Sequence, residues 1–109
     1  MDKLDYYRTC VQTLLKQHSQ SKTQEVEDEL FFDTVRDHYQ LMRVGWKNLD
    51  RIYHTVLHFD IKGGKIWLQQ NTTDVDVGQA LQEMGIPKED IVLGLHPAYK
   101  RPYTGYGVA

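Results

Sequence analysis

Several things this chain lacks narrow its class before any motif is read. It has one cysteine, Cys10, in 109 residues. A lone thiol forms no internal disulfide, so nothing here reads as a disulfide-stapled secreted scaffold. No apolar run approaches the roughly 20 residues that a membrane-spanning helix needs. The opening MDKLDYYRTC has no apolar h-region, so no secretory signal is expected and the expected compartment is the cytoplasm. A large excess of either charge is also missing, with 13 Lys and Arg against 15 Asp and Glu. The formal net charge is −2, which argues against strong nonspecific nucleic-acid binding by the whole surface.

What is present is ordinary for one globular domain: 40% hydrophobic and 26% charged residues. One domain over 1–109 is expected, with a single core. Residues 2–20 read as a helix, because Leu4, Tyr7, Val11, Leu14 and Leu15, with His18, recur on one face. Asp2 is placed to cap it. The polar 19-SQSKTQ-24 reads as a connection. Glu25, Glu27, Asp28 and Glu29 form an acidic cluster, read as a solvated face.

A β region follows. The runs 30-LFFDTV-35, 39-YQLMRVGW-46, 51-RIYHTVLHFDIK-62 and 65-KIWLQQ-70 are rich in aromatic and branched residues. Strict alternation in the third run puts Tyr53, Leu57, Phe59 and Ile61 on one face, and Ile52, His54, Val56, His58 and Asp60 on the other. Trp67 and Ile66 point to opposite faces. The pair Gly63-Gly64, flanked by Lys62 and Lys65, invites a phosphate-loop reading. A phosphate loop needs a longer glycine loop, a Lys-Ser/Thr pair and a following helix, and Lys65 is followed by strand. Two glycines between strands are instead the signature of a tight hairpin.

A second helix is expected after Thr73 or Asp74, with Val77, Ala80, Leu81 and Met84 as its apolar stripe and Gly85 as its stop. The segment 87-PKED-90 reads as a helical turn and 91-IVLGL-95 as a buried strand or extended segment. The ending 96-HPAYKRPYTGYGVA-109 reads as irregular. The fold class is therefore α+β: an N-terminal helix, an antiparallel four-stranded meander, a second helix and a C-terminal extended segment.

No catalytic constellation emerges. Cys10 sits near the apolar helix face with nothing local to activate its thiol, so it reads as packing. His54 and His58 lie too far apart along a strand, roughly 13 Å, to hold one ion alone. His58 and Asp60 are close enough, but spacing signals no third ligand, so no metal and no cofactor are expected. The tail interleaves Tyr99, Lys100, Arg101, Tyr103 and Tyr106, a mixture suited to a protein partner, to nucleic acid, or to a strap over the chain's own core. Trp46, Trp67, His54 and His58 are candidate interface residues. A meander this aromatic has two faces and only two helices to cover them, so a homo-oligomer, dimer or higher, is expected.

Taken together, 44-VGW-46, 57-LHFDIKGGKIWLQQ-70, 85-GIPKEDIVLGLHP-97 and 104-TGYGVA-109, with the opening MDKLDYYR, resemble the XisI family, the fdxN-element excision controlling factors of cyanobacteria. The resemblance runs over nearly the whole chain. Leu95 and Ala98-Tyr99 stand where the family often has an aromatic residue and a second proline. The resemblance implies a non-enzymatic role in programmed, site-specific excision of a DNA element during heterocyst development. It implies action beside a separate recombinase and an XisH-like partner. An antitoxin-like inhibitor of an XisH-like nuclease and an accessory DNA-binding factor are the alternatives; contact with DNA would be indirect in the first reading. The family supplies no catalytic residues to carry over.

Overall fold

The computed structural model describes residues 2–19 and 25–108. The connection 20–24, the last position of the expected first helix included, lies outside the described residues. Helix α1 spans Lys3–His18. Asp2 caps it, its carboxylate accepting from the Asp5 N–H at 2.9 Å. Of the expected stripe Tyr7, Val11, Leu14 and Leu15 are buried and Cys10 joins them, while Leu4 and His18 are half-buried. Burial pushes the Cys10 thiol up, against the direction a nucleophile needs.

The sheet has five strands rather than four: β1 Val26–Asp33, β2 His38–Lys47, β3 Asp50–Lys62, β4 Lys65–Asn71 and β5 Ile91–Val92. They lie side by side in sequence order. The first four pair antiparallel and β5 joins β4 in parallel. Two β-branched residues, both fully buried, are enough to add the fifth strand. Its direction follows from the connection, since the chain returns from β4 through α2, Val77–Glu83. Beyond it the tail is not irregular throughout. Residues Ala98–Tyr103 wind into a 3-10 helix and Gly107 bridges Val92.

The glycine pair makes the hairpin. Gly63 and Gly64 take φ angles of 61° and 75°, and Lys62 faces Lys65 across the turn. Two other boundaries move from expectation. Strand β1 starts at Val26, inside the acidic cluster, because pairing with β2 outweighs the poor strand propensity of Glu27, Asp28 and Glu29. That cluster is not wholly a solvated face. The Asp28 side chain is buried and meets Arg43 through two hydrogen bonds of 2.8 and 3.1 Å. The cap of α2 is Asp76, whose carboxylate accepts from the Gln79 N–H. Thr73 is taken up by a turn of its own, donating to Asn71 and accepting from the Val75 N–H.

The alternation of β3 breaks at one residue. Leu57 pairs with Leu41 and Thr55 with Met42, which leaves Val56 as a bulge. Leu57, Phe59 and Ile61 keep the expected face, but Tyr53 moves to the opposite one. Val56 turns inward and is buried. His54 and His58, expected together, end on different faces.

Both helices pack on the same side of the sheet. One core cluster unites the α1 stripe with Tyr39, Leu41, Leu57, Phe59, Ile66 and Leu68 of the sheet and Val77 and Leu81 of α2. Two carboxylates bolt α1 to this layer. Asp90 accepts from the Tyr7 hydroxyl and pairs with Lys3 at 2.9 Å. Asp37 takes Arg8 at 2.8 and 3.2 Å and the Tyr39 hydroxyl at 2.8 Å.

Burial pushes the Asp90 carboxyl up, but Tyr7 and Lys3 outweigh it and hold the group below the ordinary carboxylate range. Arg8 does the same for Asp37. A carboxyl depressed in the folded state stabilises it above the unfolded pKa, about 4, and the contribution is lost as pH falls through the folded pKa. The urea midpoint is therefore expected to fall as the solution is acidified below about pH 4. Asp90→Asn is expected to cost about 1–3 kcal/mol at neutral pH and to make the acid-side decline shallower. A decline as steep as that of the parent chain would exclude Asp90 as a contributor.

Candidate functional site

With both helices on one side, the other face of β1–β3 carries no helix among the described residues. Register and pleat place Phe31 of β1, His38, Gln40, Met42, Val44 and Trp46 of β2, and Tyr53, Thr55, His58 and Asp60 of β3 on it. Its aromatic members are well exposed, Phe31 by 45%, Trp46 by 51% and Tyr53 by 64%, while Met42 and Val44 are half-buried. A shallow depression opens between β1 and β2, lined by Leu30, Phe31, Phe32, Asp33, His38 and Gln40. The exposed aromatic residues make this face the candidate site.

The far end of this face is closed by the chain itself. Trp67 projects there from β4, opposite Asp60. The Lys62 ammonium sits 4.0 Å and the Arg101 guanidinium 5.0 Å from its ring centre, so the indole lies between two cations. Arg101 also donates to the His96 carbonyl at 3.0 Å. The Leu95 N–H donates to the Leu68 carbonyl, which lays the tail beside β4. Gly94 is required in this passage: a Cβ there would come within 3.0 Å of Trp67 and 2.8 Å of Gln69.

The tail residues divide between strap and surface. Tyr106 packs against α2; its hydroxyl accepts from Gln82 at 2.9 Å and covers Gly78, where a Cβ would fall 2.8 Å from the same oxygen. Tyr106 and Arg101 thus serve the fold. Tyr99, Lys100 and Tyr103 remain exposed. Trp46 stands at the outer end of the open face, with Arg51 over its ring at 5.4 Å. His54 lies on the helix side, facing Arg43 across the β2–β3 ladder.

Near the same end of the open face as Trp67, three groups converge that spacing did not connect. His38 Nδ1 and His58 Nε2 both reach Asp60 Oδ1, at 2.8 and 2.9 Å. Gln69 donates to Asp60 Oδ2 at 3.1 Å. Burial pushes the Asp60 carboxyl up, yet the two imidazoles outweigh it and hold it low. His38 is the member that sequence reasoning missed. A hairpin register would have found it only with the Val56 bulge known in advance.

No helix among the described residues is long and apolar enough to cross a membrane. The comparisons with known proteins agree with one another. The family model described as "XisI protein" matches residues 1–108. A crystal structure of a XisI-like protein from Anabaena variabilis ATCC 29413 is 53% identical, with a TM-score of 0.93, covering 99% of this chain and 100% of that one. The fdxN element excision controlling factor XisI from the same organism is 35% identical with a TM-score of 0.88, over 99% and 100% of the two chains. No curated protein matches. A family match of this extent, supported by two solved structures over the full length, settles the kinship: the chain belongs to the XisI family.

Proposed function

We propose that this chain is a non-catalytic controlling factor for excision of a DNA element of the fdxN type, acting by binding an XisH-like protein in the cytoplasm. The observation that carries this reading is the likeness, over 99% of the chain, to the protein named as the fdxN element excision controlling factor. The site chemistry is consistent with it. Among the described residues Cys10 is buried, and the surface that stands out is a mixed sheet face with exposed aromatic side chains rather than a cleft. Such a face suits a protein partner, and a second copy of the chain is the further occupant proposed here. The exposed Tyr99, Lys100 and Tyr103 border that partner surface. Arg101 is engaged by Trp67 and His96, which weakens the case for the tail as a nucleic-acid arm.

The test is co-expression with an XisH-like protein from the same genome, followed by sizing with light scattering. A stable stoichiometric complex is the expected result, and the chain alone is expected at twice its 12.8 kDa mass or more. Failure of two folded proteins to associate would overturn the partner reading. Salt-sensitive retardation of duplex DNA by this chain alone would then favour the accessory DNA-binding role. Rescue of cells from a toxic XisH-like nuclease would turn the controlling factor into an antitoxin-like inhibitor.

A further inference from the structure

We propose that His38, His58 and Asp60 form a binding site for one divalent transition-metal ion of the zinc class. One donor atom from each of the three residues lies within 4.8 Å of the other two. Two imidazoles and a carboxylate are the ligand types that such ions prefer over magnesium or calcium, which take oxygen donors.

Two of the three donor separations are near those of a loaded site, and the third lies within 4.8 Å. Metal–ligand bonds of about 2.0–2.1 Å at tetrahedral angles set neighbouring donor atoms about 3.3 Å apart. Here the two N···O separations are 2.8 and 2.9 Å. An opening of a few tenths of an ångström, within reach of side-chain rotation, admits the ion. The scaffold is rigid where it matters. His38 and Asp60 are cross-strand partners, and His58 is two residues before Asp60 on the same strand and face. Gln69 fixes the carboxylate through its second oxygen, leaving Oδ1 for the ion.

The proton accounting is favourable. For both contacts to be hydrogen bonds, His38 Nδ1 and His58 Nε2 must each carry a proton toward Asp60. Metal binding places lone pairs there instead. In neutral imidazoles this is a change of tautomer, with the proton moving to His38 Nε2 and His58 Nδ1, and no proton is released. The charge is also improved: a carboxylate with two neutral rings carries −1 and gains a dication. Three protein donors leave one tetrahedral position, which falls to solvent on the exposed side of His38.

The experiment is isothermal titration of the full chain, free of any histidine tag and stripped with chelator, with Zn2+. Co2+ serves in parallel as a probe whose visible absorption reports imidazole ligation. One saturable ion per chain is expected. His38→Ala changes a half-exposed residue, and Asp60→Asn is nearly isosteric. Each is expected to weaken binding at least about tenfold while the far-UV circular dichroism is unchanged. The wild-type titration needs no variant: absence of saturable binding would overturn the site. So would binding of the same strength in His38→Ala and Asp60→Asn, since the ion would then be held elsewhere.

Discussion

Phe59→Ala is expected to remove about 3–5 kcal/mol of folding stability. Phe59 is fully buried on β3. Its cross-strand neighbours are Tyr39 on β2 and Leu68 on β4, both buried. The ring is held on two sides by strands that pair with its own, so the walls of the resulting cavity have little freedom to collapse. Domains of this size have about 5–15 kcal/mol in total. The variant should therefore show a much lower urea midpoint and melt about 12 °C or more below the parent. Phe31→Ala on the open face is the control. Phe31 is 45% exposed, and its loss should leave the monomer's stability within about 1 kcal/mol. Equal costs for the two would overturn the assignment of covered and uncovered faces.

The second large effect concerns charge. The Asp28 side chain is only 2% exposed, and Arg43 reaches both of its oxygens. Arg43→Met keeps most of the volume and leaves a buried carboxylate without its guanidinium. The expected cost is about 3–5 kcal/mol, because desolvation of the anion is no longer offset by the pair. Asp28→Leu made together with Arg43→Met should recover most of that loss, since a buried ion pair is worth little over an apolar pair of similar size. Chemical denaturation of the two variants separates the explanations. If the double variant is as unstable as the single one, packing of the arginine stem, not charge, is what holds β1 to β2 there.

Much of this architecture is legible in the residues. Spacing of three and four marks the buried face of α1. Two glycines between strands mark the β3–β4 hairpin, since positive φ at both positions is cheap only for glycine. The opposite orientations of Ile66 and Trp67 follow from the pleat. The open face and its His38–His58–Asp60 cluster are much less legible, and one residue explains why. From Lys47 opposite Asp50 the β2–β3 register runs regularly to Met42 opposite Thr55. Carried on unbroken, it would set Tyr39 against His58 and His38 against Phe59. Val56 adds one residue, and His38 comes opposite Asp60 instead. Nothing in valine's chemistry announces a bulge, which is a property of two paired strands rather than of one. The same shift carries Tyr53 away from Leu57 and separates His54 from His58. The start of β1 was hidden differently. Its acidic residues argue against a strand, and only pairing along β2 makes one of them.

Strand β1 is the outer strand of the sheet, and outer strands are where separate molecules most readily extend one another's sheets. The acidic run that disguises it in the sequence bears on that hazard. Glu25, Glu27, Asp28 and Glu29 lie at or beside its first turns of pleat. Asp28 is buried against Arg43, but two chains meeting edge to edge along this half of β1 would still bring the carboxylates of Glu27 and Glu29 near those of the other chain. Like charges facing across a ladder are destabilising. The acidic residues that cost the strand its propensity thus also disfavour extension of the sheet along this border.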